Sequence, residues 1–170
     1  MKSFVLALIA LGLAPTAASA ASTLPGNASS LTEAHDDWTV RCAVANNAVQ
    51  CAAQQEQLST QTKQRVLAIE VAPGGSSPKA TLILPFGLDL AKGAVLKVDD
   101  KLTSPNLAFQ TCVPGGCLVP FDLGQQWEAA LRGGTALAVS AIAVGGQDAK
   151  FSISLKGFAS ALDRIAELTK

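Results

Sequence analysis

The chain has 170 residues, with thirteen basic and thirteen acidic side chains, one histidine and no tyrosine. No basic cluster or run of like charge exists, so nothing points to nucleic acid or to an anionic membrane. Charged residues make up 15% of the chain and aromatics 5%, which suits a Val/Leu/Ile/Ala core better than an aromatic sugar- or peptide-binding groove.

The chain begins with Lys2, an apolar run over residues 4–13, Pro15 and the small-residue exit Ala18-Ser19-Ala20. This order describes a secretory signal peptide over residues 1–20, cleaved after Ala20. The apolar run is shorter than the roughly 20 residues of a membrane span, and no later segment approaches that length. No cysteine lies close behind it, so a lipid anchor is not expected. The remaining 150 residues fit one domain, expected in the periplasm or at the cell surface after signal cleavage, with no transmembrane segment. Residues 21–36, rich in Ser, Thr, Ala and Asn, show no hydrophobic period and read as a flexible lead-in. The domain proper is expected over residues 37–170.

Residues 37–54 read as a hairpin around Asn46-Asn47, because asparagine tolerates the positive φ of a tight turn. With those two residues as the loop, each strand residue pairs with the one whose number completes 93. Cys42 then faces Cys51, in a non-hydrogen-bonded pair where side chains come closest. Trp38, Val40, Cys42, Val44, Val49, Cys51 and Ala53 share one face, and Thr39, Arg41, Gln50 and Gln54 the other. Residues 65–71 alternate Leu67, Ile69 and Val71 against Val66, Ala68 and Glu70, and stop at a Pro/Gly/Ser run. Further strands are expected over residues 79–84, 94–99, 106–112, 117–121, 135–144 and 150–155, separated by turn-rich pieces at 86–93, 113–116 and 145–148. Recurrent short strands imply an all-β antiparallel sandwich. Two helices interrupt it. Residues 125–132 place Trp127 and Leu131 at i, i+4 before Gly133-Gly134. Residues 157–168 put Phe158, Leu162, Ile165 and Leu168 on one stripe, opposite Asp163, Arg164 and Glu167, and are expected to pack on the sandwich. Within the core, Trp38, Val40, Leu67, Ile69, Leu96, Val98, Phe151 and Ile153 should face inward, opposite Thr39, Glu70, Lys97 and Lys150.

Four cysteines in an exported chain imply disulfides, and three connectivities are open to them. The hairpin supports Cys42–Cys51. Cys112–Cys117 follows by elimination, across the turn at Pro114-Gly115. Catalytic chemistry is sparsely provided. His35 is the one histidine, beside Asp36 and Asp37, and reads as a solvated loop residue rather than part of a Ser-His-Asp or Cys-His arrangement. The cysteine spacings are not those of a zinc site. The adjacent acids Asp36-Asp37 and Asp99-Asp100 point to opposite faces of any strand, which suits them poorly to paired acid/base work. Gly115-Gly116 and Gly145-Gly146 lack the context of a phosphate loop. No catalytic residue, cofactor or metal is expected.

Certain residues also carry a family resemblance. They are Trp38-x3-Cys42, Cys51, Leu84-Pro85-x-Gly87-x2-Leu90-x2-Gly93-x3-Lys97-Val98-Asp99, Cys112-x3-Gly116-Cys117 and Ser154-Leu155-Lys156-Gly157-Phe158-x2-Ala161-Leu162. In this order the chain resembles the invasion-associated locus B family of exported proteobacterial proteins, from about Asp37 to Leu168. The resemblance implies a disulfide-bonded β-sandwich with a terminal helix, periplasmic or surface-associated, and the family name reflects host-cell invasion in some pathogens. It transfers no catalytic residues.

Three functional readings follow. The first is a non-enzymatic exported protein that binds a protein or envelope component and, in a host-associated organism, assists invasion. The second is a periplasmic thiol-redox or chaperone-like helper using Cys112 and Cys117. The third is a hydrolase, which the single histidine disfavours. A contact surface is sought first on the turns holding Phe86, Val113 and Pro114, since turns on a rigid scaffold display side chains.

Overall fold

Local turn chemistry sets the first sheet in place. Asn46 and Asn47 both take positive φ, 52° and 59°, and close a two-residue hairpin between β2 (Trp38–Ala45) and β3 (Ala48–Leu58). The register is the expected one, with Cys42 opposite Cys51, Val40 opposite Ala53 and Thr39 opposite Gln54. A Cα separation of 4.1 Å at Cys42–Cys51 is the close spacing of a non-hydrogen-bonded pair. Val44, near the hairpin tip, is exposed although it shares the inward face.

The computed structural model describes residues 23–170; the signal segment expected over 1–20 lies outside them. Two antiparallel sheets form a sandwich. The larger joins β1 (Ser30–His35), β2, β3, β4 (Arg65–Ala72), β5 (Lys79–Leu84), β9 (Gly116–Asp122) and β8 (Thr111–Val113), in that spatial order. The smaller runs β11 (Asp148–Ser154), β10 (Ala136–Ile142), β6 (Ala94–Val98) and β7 (Leu102–Thr103). Alternation fills the space between them: Leu67, Ile69, Val71, Leu82, Leu84 and Val119 from one sheet meet Leu96, Val98, Leu137, Val139 and Ile153 from the other in one buried cluster.

Helix α1 (Gln125–Gly133) buries Leu131 and sets Trp127 edge-on to Phe121, with ring centroids 6.4 Å apart. Helix α2 (Phe158–Leu168) buries Phe158, Ala161, Leu162 and Ile165 against the sandwich, and Phe158 meets Trp38 at 5.0 Å. Its first residue follows Gly157, whose φ is +89°; a Cβ there would overlap the His35 carbonyl, so glycine is required.

Three expectations are corrected. Residues 21–36 are not a flexible lead-in as far as they are described: Leu24 is 1% exposed, and residues 30–35 form β1 on the edge of the larger sheet. The strand expected over 106–112 is only three residues long, because Leu107 bonds to Ala94 of the smaller sheet while Thr111 pairs with Leu118 of the larger. A segment that serves two sheets must turn a corner and cannot hold one ladder. Phe151 is half-buried at the rim rather than enclosed, since it lies on the outermost strand of its sheet.

The free edge of β11 is closed by side chains. The Gln55 amide donates to Ser154 O at 2.9 Å and accepts from Ser154 N at 3.2 Å, as a neighbouring strand would. Gln57 donates to Ser152 O, and the Trp38 indole donates to Ser154 O. Two glutamines of one sheet thereby bond the exposed backbone of the other, where an open edge invites pairing with foreign strands.

Candidate functional site

The chemistry-bearing side chains nearest a catalytic arrangement lie where β1, β11 and α2 meet. His35 Nδ1 is 3.1 Å from Ser160 Oγ, and His35 Nε2 is 3.7 Å from Glu33. His35 is thus not a solvated loop residue; it is half-buried at the end of a strand, and its Nε2 is buried with no hydrogen-bond partner. Ser160 donates its hydroxyl proton to Gly157 O, so it accepts from His35 rather than being activated by it. The Glu33 carboxylate is gripped by both Arg164 Nε and Nη2, at 2.8 and 2.9 Å. That bidentate bond holds Glu33 below the usual carboxylate range, with a smaller contribution in the same direction from His35. Nearby, Ser154 donates to Asp37 at 2.6 Å and Lys156 pairs with Asp36 at 3.1 Å. The Glu33–Arg164 and His35–Ser160 contacts latch β1 to α2, while Asp36 and Asp37 fasten the β1–β2 turn to the end of β11 and the residues after it. Asp99 is likewise committed to structure, accepting from the backbone of Thr135 and Ala136. Among the described residues no group of three His, Cys, Asp or Glu is placed to hold a metal ion.

At the same end of the larger sheet, but across it toward the edge away from β1, the arrangement is different in kind. The turns expected to display Phe86, Val113 and Pro114 are brought together there. Leu84 pairs with Cys117, which carries Pro85 and Phe86 alongside the β8–β9 turn. Gly116 permits this approach: its φ is +136°, and a Cβ would stand 2.5 Å from Leu84 O. Phe86, Pro85, Pro114 and Gly115, with Gln64 and Arg65 from the start of β4, line a cleft of about 520 Å³. Arg65 is ion-paired with Glu56 and donates to Gly115 O at 3.4 Å, tying the β3–β4 turn to the β8–β9 turn. Gly87 O accepts from Val144 N at 2.8 Å, which adds the β10–β11 turn from the other sheet.

Four connections from both sheets therefore meet, and each displays a large apolar side chain: Leu58, Phe86, Val113 and Val144. Phe86 is 62% and Val144 72% exposed. Leu58 and Val144 were not candidates on sequence. The available signal was a lone apolar residue directly before a polar or Gly-Gly turn, which is too common to single out.

The disulfides pair Cys42 with Cys51 and Cys112 with Cys117. The first is buried; in the second Cys112 is exposed and Cys117 enclosed. The second braces the turn that carries Val113 and Pro114.

A family model described as "Invasion associated locus B (IalB) protein" matches residues 38–166. An invasion protein B homolog of Brucella abortus is 49% identical over 152 residues, covering 88% of this chain and 87% of that protein. Invasion protein B of Bartonella bacilliformis is 31% identical over the same share of this chain and 82% of its own. The crystal structure of invasion associated protein B from Bartonella henselae superposes with a TM-score of 0.76 at 29% identity, covering 81% of this chain and 96% of that one.

Proposed function

This chain belongs to the invasion-associated locus B family, and from that premise we propose that it is an exported, non-enzymatic binding protein. Its contact surface is the end bearing Phe86, Val113, Pro114 and Val144, and its partner is a protein or envelope component. The single observation that supports this most is the convergence of exposed apolar side chains from four separate connections on one end. Scattered surface apolar residues are ordinary, whereas a gathered set marks an interaction site. The binding reading is also consistent with His35 and Ser160, whose hydrogen bonds leave no activated nucleophile.

Residues 1–20 act in this proposal as a signal removed before the protein reaches the periplasm or cell surface, where two disulfides persist. By analogy with relatives named for invasion, the binding serves host-cell entry where the organism is host-associated.

A photo-crosslinking residue at position 86 in intact cells should trap the partner, and one at position 47, on the opposite hairpin tip, should not. Equal trapping at both positions would sink the assignment of this end. Exposure of Cys112 favours the second reading, a thiol-redox helper. A native protein that shows no titratable or readily reduced thiol rules that reading out.

A further inference from the structure

Five of the six large apolar side chains exposed among the described residues lie at one end: Leu58, Phe86, Leu90, Val113 and Val144. The sixth, Val44, is at the opposite end, beside the β2–β3 turn. Leu90 belongs to the gathered set because Asp89 N bonds to Ile142 O and Ala94 pairs with Ala141, beside the β10–β11 turn. The residues between these apolar tips are mostly Gly and Pro: Pro85, Gly87, Pro114, Gly115, Gly145 and Gly146.

The charges flanking this end are paired, Glu56 with Arg65 and Asp148 with Lys150, which leaves a small positive excess on the connections themselves. Lys63 and Lys92 lie on two of the connections and form no ion pair among the described residues. The one carboxylate on these connections, Asp89, is turned to accept from Ala91 N as a helix cap. In the sequence the two lysines are far apart and make no basic run; the fold brings their loops to one end.

Resting on the binding reading above, we propose that this end docks on an anionic phospholipid bilayer. Phe86, Val144, Val113, Leu58 and Leu90 enter the boundary of headgroups and acyl chains, and Lys63 and Lys92 meet lipid phosphates. Separate apolar tips at the ends of rigid strands suit a deformable lipid surface. A second copy docked end to end would set lysine against lysine with no free carboxylate to answer it. The outer face of the larger sheet competes poorly, since it presents partnered polar groups, the Lys79–Asp122 ion pair and the Gln54–Glu70 hydrogen bond.

The test is co-sedimentation of the oxidised, signal-free protein with phosphatidylcholine vesicles, with and without phosphatidylglycerol. The protein should bind the phosphatidylglycerol vesicles, and binding should weaken with salt. Phe86→Ser should lower partitioning about tenfold or more. Lys63→Glu with Lys92→Glu should lower it by at least about fivefold per lysine, while Val44→Ser leaves it unchanged. Unchanged melting of each variant shows that the fold persists.

No binding to phosphatidylglycerol vesicles overturns the proposal, as does binding indifferent to phosphatidylglycerol or to the Phe86 and lysine changes. If vesicles are not bound but a crosslinker at position 86 still traps a specific protein in cells, the lipid inference falls and the binding reading stands. If neither occurs, both fall.

Discussion

Replacing Gln55 by Leu tests whether a side-chain amide closes the edge of the smaller sheet. Gln55 is 8% exposed, the one polar or charged side chain in the buried set among the described residues, and its two bonds to Ser154 are 2.9 and 3.2 Å. Leucine is similar in size but removes both bonds. Ser154 O keeps the Trp38 indole as donor, whereas Ser154 N–H loses its partner. Two net hydrogen bonds and one stranded donor cost about 2–4 kcal/mol. The added apolar contact offsets roughly 1 kcal/mol, leaving a net loss of about 1–3 kcal/mol. For a domain of this size that lowers Tm by roughly 3–10 °C. Urea unfolding gives the free energy, and amide exchange at Ser154 reports the local effect. Gln54→Leu is the control: its amide bonds only Glu70 on the outer face, so stability should stay within about 0.5 kcal/mol. A Gln55→Leu protein as stable as the parent, with Ser154 exchange unchanged, would refute the edge-closing role.

Other expectations follow from the same contacts. Ile69→Ala, at an enclosed position, should cost about 2–5 kcal/mol in urea unfolding. Cys112→Ser with Cys117→Ser should cost about 2 kcal/mol, because the loop it closes is short, and should not alter the Cys42–Cys51 link by mass mapping. Gly157→Ala should lose about 1–3 kcal/mol from its positive φ alone, with a further loss from overlap with His35 O, read as a lower Tm. Glu33 is held below its ordinary pKa in the folded protein, first by its hydrogen bond from Arg164. Its stabilisation is present above the unfolded carboxylate pKa and is lost as pH falls through the depressed folded value. Arg164→Gln should therefore unfold more readily near neutrality, yet show a shallower further loss from pH 5 to pH 3 in denaturant titrations. An acid limb as steep as the parent's would place the acid sensitivity elsewhere.

Sequence alone determined the features governed by near neighbours. Asn46-Asn47 dictates a tight turn, the turn dictates the register, and the register brings Cys42 to Cys51. Alternation assigned the inward faces of β4 and β6, and the stripe of Phe158, Leu162 and Ile165 assigned the buried face of α2. The turns carrying Phe86, Val113 and Pro114 were legible as displayed loops for the same reason.

Tertiary structure decided whatever depended on distant partners. Residues 30–35 carry little strand signal of their own; they become β1 because β2 offers an edge to pair with and Arg164 and Ser160 reach them from α2. Gln55 shares the inward face of β3 with Cys51 and Ala53, and a polar side chain there has no evident partner until β11 presents an open edge to it. Leu58, Lys63, Lys92 and Val144 are unremarkable in the chain and acquire a shared surface only when the strands of both sheets end together. Periodicity and turn chemistry act over a few residues, while the gathering of loops is set by how whole sheets pack, and no local signal encodes it.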